Sequence, residues 1–225
     1  MTTLAEDLVL LLVDPASGRL LAASSTLDRG LAGALLLDLA LRERLAVEGR
    51  GRRVLISVVD PGATGEPVVD VALVELGRTP LRARDAVERL AGRVRGPVFE
   101  RLTERGLLAP RRGRRWGLFP TAAWDVLGGR ERERLLAGVE RVLLHDQPSD
   151  VRLSCLISLL HAVRAEHRVV EGPVRRVRAR AAEIAGDELL GTTGRGQVAA
   201  IRSAVLPSHP RSTGADAQWR PPSFS

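Results

Sequence analysis

The chain has 225 residues, 44% of them hydrophobic but only 3% aromatic, with 34 basic residues against 27 acidic ones for a net charge of +7. That is enough for one domain with a core of Leu, Val and Ala. Every basic residue is arginine, which excludes a P-loop lysine, a Schiff-base lysine and a lysine general base, and the single cysteine, Cys155, excludes an internal disulfide and a Cys-rich zinc site.

Arginine stays protonated near neutral pH, so these positions bind anions and do not transfer protons. Arginine in place of lysine also reads as a GC-rich, bacterial coding sequence. The N-terminus, Met1-Thr-Thr-Leu-Ala-Glu-Asp7, carries acids and no basic n-region, so no secretory signal is expected there. The apolar run Leu8–Val13 is far shorter than the ~20 residues of a membrane span. A cytosolic chain, soluble or peripherally bound to a membrane, is expected.

In chain order, Thr3-Leu-Ala-Glu6 is a capping-box signature that opens a helix through Val13, ended by Asp14-Pro15. Asp28 is placed to cap a second helix running to about Leu45. Leu31, Ala34, Leu35, Leu37, Leu39, Leu41 and Leu45 cover most of its circumference, as in a central core helix. Val54–Val59 and Val68–Leu76 are β-branched runs that read as a strand pair joined by a long loop. Helical spacing resumes at Leu81, is interrupted at Gly96-Pro97, and continues through Val98, Phe99, Leu102 and Leu107, with Gly106 as a C-cap. Leu107–Phe119 reads as a hairpin with its tip near Gly113. Helical segments follow at roughly 130–145, 149–168 and 173–186, with a last one at about 192–206. Residues 207–225 are rich in Pro, Ser and Gly and read as a disordered tail, leaving a single domain over 1–206.

Enzyme signatures are weak. His145, His161, His167 and His209 lack metal-ligand spacing. Gly191-Thr-Thr-Gly-Arg-Gly196 does not follow a strand and reads as a helix-capping loop. Ser154, Cys155 and His161 share a helix without an elbow or oxyanion site, and Cys155 reads as a small core residue. Arg130–Arg134 alternates charges as a solvated helix face does.

The net charge is concentrated in one place. Arg82–Arg115 contains eleven arginines and four acids (Asp85, Glu88, Glu100, Glu104), so this segment carries the full +7. Such a segment points to an anionic partner. Helix, turn, helix and basic hairpin loosely resemble a winged helix-turn-helix on DNA, with Arg101 or Arg105 to read guanine. Glu100 and Glu104 on that second helix would repel phosphate. A membrane surface is the other reading: the hairpin interleaves Arg111, Arg112, Arg114 and Arg115 with Trp116, Leu118 and Phe119, pairing lipid phosphates with residues that favour the bilayer interface. A third reading is a protein-interaction module whose basic hairpin docks an acidic partner.

Four stretches carry a family resemblance. They are Thr3-Leu-Ala-Glu-Asp-Leu-Val-Leu-Leu-Leu12, Gly30-Leu-Ala-Gly-Ala-Leu-Leu-Leu-Asp-Leu-Ala-Leu-Arg-Glu-Arg-Leu45, Glu100-Arg-Leu-Thr-Glu-Arg-Gly-Leu-Leu108 and Asp150-Val-Arg-Leu-Ser-Cys-Leu-Ile-Ser-Leu-Leu-His-Ala162. In order and spacing they resemble the Golgi phosphoprotein 3 family, over residues 3–206, and the composition fits its actinobacterial branch. The resemblance implies a mostly α fold: a helical bundle core surrounded by amphipathic helices, with a short strand pair and a protruding β-hairpin. It implies no catalytic activity, metal or cofactor. It implies peripheral membrane binding through phosphatidylinositol 4-phosphate, and in eukaryotic relatives the recruitment of glycosyltransferase tails at the Golgi. The family's lipid pocket has a Trp and an Arg where this chain has Ala23 and Ala32, and two further arginines that correspond here to Gly92, with Arg93 adjacent, and to Arg95. The particular headgroup is therefore left open.

Together these readings give a non-enzymatic, lipid-binding peripheral membrane protein. Arg93 and Arg95 are expected to hold a phosphorylated headgroup. Arg111, Arg112, Arg114 and Arg115 supply diffuse attraction, and Trp116, Leu118 and Phe119 insert. The expected partners are an anionic phospholipid membrane, membrane-protein clients and a second copy of the chain through the hairpin, rather than nucleic acid.

Overall fold

The computed structural model describes residues 2–49, 54–111 and 123–186. Helix α1 (Leu4–Leu12) begins at the capping box: the Glu6 N–H donates to Thr3 Oγ1 (3.1 Å) and the Thr3 N–H donates to Glu6 Oε2 (2.6 Å). The box satisfies two otherwise orphaned donors at a buried helix end. Every residue of α1 is buried. Helix α2 (Ser24–Leu41) lies against it, and Leu31, Ala34, Leu35, Leu36, Leu37 and Leu39 are fully buried. A helix apolar on all sides can only be central, and α1, α2 and α7 (Val151–Ala162) pack on one another at the centre.

Both ends of α2 differ from the sequence reading. It starts at Ser24, with Ala23 as an N-cap that makes no side-chain cap bond, so Asp28 lies inside the helix. It ends at Leu41, because Glu43 takes a left-handed conformation (φ 58°). The Glu43 N–H then donates to Ala40 O (3.0 Å) and the Arg44 N–H to Leu39 O (2.9 Å). This pair of bonds is a Schellman turn. The chain released by that turn forms β1 (Leu45–Glu48), which pairs antiparallel with β2 (Leu55–Val58); β2 pairs in turn with β3 (Leu81–Arg82), giving the order β1-β2-β3.

The expected strand over Val68–Leu76 is instead helix α3 (Pro67–Leu76). Its buried residues are Val68, Val69, Ala72, Leu73 and Leu76, a helical stripe, and Pro67 occupies its first turn. Period and burial override the β-propensity of valine here. Helices α4 (Ala83–Leu90) and α5 (Arg95–Glu104) follow, and α5 closes at Gly106 (φ 64°) through Gly106 N–H to Thr103 O and Leu107 N–H to Leu102 O, both 2.9 Å. The expected glycine cap is therefore present.

The hairpin base consists of β4 (Leu108–Pro110) and β5 (Trp124–Val126), in the register Leu108↔Val126. The arm paired with β4 lies beyond the Phe119 limit read from the sequence. Helix α6 (Gly129–His145) precedes α7. The segment read as one helix over 149–168 is two, α7 and the short α8 (Glu166–Val169), divided where Arg164 takes φ 57°. Helix α9 (Val174–Gly186) packs on α7. The expected helix at 192–206 and the tail lie outside the described residues.

Two clusters of ions sit within this apolar core. Asp38 (2% exposed) accepts the Leu4 N–H with Oδ2 (2.7 Å), so α2 caps the start of α1. Arg152 of α7 donates to Asp7 Oδ2 and to Thr2 O, both 2.6 Å, and lies 3.5 Å from Asp38 Oδ1. Burial pushes the Asp38 carboxyl up to about 7, against the pull of the Arg152 charge and the Leu4 hydrogen bond. Glu6, fully buried, pairs with Arg105 at 3.2 Å.

Candidate functional site

The loop between α1 and α2 organises the basic residues. Its shape follows from Asp14, whose Oδ1 accepts the N–H groups of Ala16 (2.8 Å) and Ser17 (3.1 Å). These bonds, that of Ser17 first, hold the Asp14 carboxyl below its ordinary value. Val13 and Leu20 then close the loop as an isolated antiparallel bridge.

The hairpin base docks on this loop. The Trp124 N–H donates to Gly18 O (2.8 Å), and a Cβ at Gly18 would meet Trp124 O at 2.7 Å, so a side chain is excluded there. Arg111 binds from the same side: its Nε donates to Asp125 Oδ1 (2.6 Å) and its Nη1 to Ala16 O (3.3 Å). The Trp124 ring stacks at a tilt on Phe99 of α5, with centroids 4.7 Å apart.

The other end of the loop meets Arg95. Its Nη2 donates to Ser24 O (2.5 Å) at the start of α2, and its Nε lies 2.7 Å from Asp28 Oδ1, an ion pair without hydrogen-bond alignment. Asp28, expected as a cap, is thus the counter-ion of Arg95. Ala23 sits beside this arginine as the exposed N-cap of α2, and Ala32 is fully buried in the same helix. A buried alanine offers no charge at a surface.

Arg93, two residues earlier, turns to α3 and donates to Glu75 Oε2 (2.7 Å), with 63% of its side chain exposed. Although only two residues apart, Arg93 and Arg95 therefore engage different helices. Arg112, Arg114, Arg115, Trp116, Leu118 and Phe119 lie outside the described residues.

Several other basic residues are occupied. Arg101 pairs with Glu104 (3.3 Å) and Arg105 with the buried Glu6, so both arginines considered as guanine readers are held by acids. On α6, Arg134 pairs with Glu131 (2.8 Å) as a solvated face would. Cys155 is buried in the core as expected. Ser154 shares a hydrogen bond with Ser149 (2.7 Å), and its carbonyl accepts from Ser158 (2.7 Å). Among the described residues no group of three His, Cys, Asp or Glu side chains is placed to hold a metal, and no helix is long and apolar enough to cross a membrane.

Sequence reasoning missed Trp124, Arg168 and the α1–α2 loop itself. Arg168 Nη1 donates to Leu21 O (2.8 Å), across 147 residues of chain. Only the fold brings that pair together, while Asp14-Pro15, read as the end of the first helix, was a local signal for the loop.

A helical core with a hairpin base docked on an interhelical loop defines a mostly α-helical protein. The sequence profile of Golgi phosphoprotein 3 (GPP34) matches residues 4–206, and the chain belongs to that family. No curated protein sequence matches it.

Proposed function

We propose that the protein binds anionic phospholipid membranes peripherally, from the cytoplasmic side, with the α1–α2 loop face toward the lipid. The observation that carries this reading is the meeting of the two halves of the basic segment on one loop. Arg111 holds Ala16 O and Arg95 holds Ser24 O. Residues fifteen or more apart in sequence thus serve one surface, which suits a flat anionic partner.

Arg93 and Arg95 bind the phosphorylated headgroup, which by family is phosphatidylinositol 4-phosphate. Each now holds a partly exposed carboxylate, and a surface pair of that kind contributes roughly 0–1 kcal/mol, so a lipid phosphate can replace it. Arg111, Arg112, Arg114 and Arg115 add about 1 kcal/mol each near an anionic leaflet, and Trp116, Leu118 and Phe119 are residue types that favour the bilayer interface. Membrane-protein clients and self-association through the hairpin are further roles of the same surface.

The test is co-sedimentation of the Arg93→Ala, Arg95→Ala double variant with anionic liposomes. Weakened binding is expected, and unchanged binding removes the headgroup assignment. The paired state of Arg101 and Arg105 disfavours the DNA-binding alternative, which a mobility-shift assay with genomic fragments at physiological salt tests in parallel.

A further inference from the structure

Arg95 does not hold the Leu21–Ser24 turn alone. Arg168, from the opposite end of the chain, donates to Leu21 O at 2.8 Å, while Arg95 donates to Ser24 O at 2.5 Å. The two carbonyls are three residues apart, at most about 10 Å along the chain. Arg95 is matched by Asp28, whereas among the described residues no carboxylate pairs with Arg168.

The short α8 that carries Arg168 is firmly held. Val169 and Val170 are buried, and Glu166 (2% exposed) lies between His161 Nδ1 of α7 (3.7 Å) and Arg178 Nε of α9 (3.6 Å). Burial pushes the Glu166 carboxyl up, but the neighbouring His161, the backbone hydrogen bond and the charge of His167 together outweigh it and the net shift is downward, so Glu166 is an anion that ties three helices together. An exposed guanidinium on a fixed support, tied to one carbonyl and with no carboxylate on it among the described residues, has further donors for an anion.

We propose that Arg168 is a further arginine of the headgroup site, forming with Arg95 a fork across the Leu21–Ser24 turn that takes a phosphate monoester. This rests on the reading above that the Arg95 face meets a phosphorylated lipid. Two guanidiniums carry two charges in planar, bidentate geometry, which matches a monoester that is close to dianionic at neutral pH better than a singly charged diester or carboxylate.

The experiment compares wild type with Arg95→Ala, Arg168→Ala and Arg168→Lys, after circular dichroism shows native helicity for each. Three probes are used: vesicles with phosphatidylinositol 4-phosphate, vesicles of equal surface charge with phosphatidylserine, and soluble inositol 1,4-bisphosphate. Arg168→Ala is expected to bind the monoester about tenfold more weakly, the effect of losing a charge-assisted bond, while retaining its phosphatidylserine binding. Arg168→Lys keeps the charge but loses the fork, and is expected to stay several-fold weaker. A loss confined to vesicles identifies a lipid headgroup as the source of the phosphate, and a loss shared with the soluble probe shows that the free phosphoester suffices. Wild-type monoester binding by Arg168→Ala or Arg168→Lys, or an equal loss on phosphatidylserine, overturns the fork. If Arg95→Ala is impaired in that case, the headgroup reading stands. If Arg95→Ala also binds as wild type, the headgroup reading falls too.

Discussion

Replacing Asp38 with Asn probes the charge buried between the central helices. Asp38 is 2% exposed, caps Leu4 at 2.7 Å and shares Arg152 with Asp7, and its carboxyl is pushed by burial from 3.8 to about 7. A folded-state value above the unfolded one means that the folded protein binds the proton more tightly. The stabilisation is therefore full below the unfolded value and is lost as pH rises through about 7. At about 1.4 kcal/mol per pH unit, the loss between pH 5.5 and 8 is roughly 2 kcal/mol. Asparagine retains an acceptor for the Leu4 N–H and does not titrate. The stability of Asp38→Asn relative to wild type, from urea denaturation at both pH values, should thus be roughly 2 kcal/mol more favourable at pH 8 than at pH 5.5. A difference that does not change with pH would refute the buried, proton-linked state of Asp38.

Other substitutions test the scaffold of the face. Gly18→Ala places a Cβ 2.7 Å from Trp124 O at a residue with φ 70°, and should lower stability by about 1–3 kcal/mol, read as a drop in melting temperature. Arg105→Ala leaves Glu6, which is fully buried, without its cation; a loss of about 3 kcal/mol is expected in chemical denaturation, and a loss under 1 kcal/mol would show the pair to be dispensable. Arg111→Ala removes the bonds to Asp125 and Ala16 O; it should leave helicity unchanged while weakening anionic vesicle binding by several-fold, about the 1 kcal/mol of one basic residue at a leaflet.

The central helices were legible because α1 carries a capping box and α2 is apolar on every side. Two of the misread helix ends share one cause. Glu43 and Arg164 each close a Schellman turn at positive φ, where the expected residue is glycine. Gly106 makes the same turn and was read as a cap. Helix α3 was mistaken for a strand because its valines were weighed by β-propensity, although Pro67 and the spacing of its buried residues were available in the sequence. The candidate site was legible only in part. Charge density located the basic segment and the resemblance singled out Arg95. The bonds of Arg95, Arg111 and Arg168 to the α1–α2 loop span 71, 95 and 147 residues, a distance at which no local pattern reports contact.

Vesicle flotation of the wild-type protein at physiological ionic strength tests the central claim most directly, with phosphatidylcholine vesicles set against vesicles that also contain phosphatidylinositol 4-phosphate. The protein should float with the anionic vesicles and stay behind with the neutral ones, and the difference should shrink as salt is raised. Failure to float with either, alongside a mobility shift of DNA at the same salt, would contradict the account.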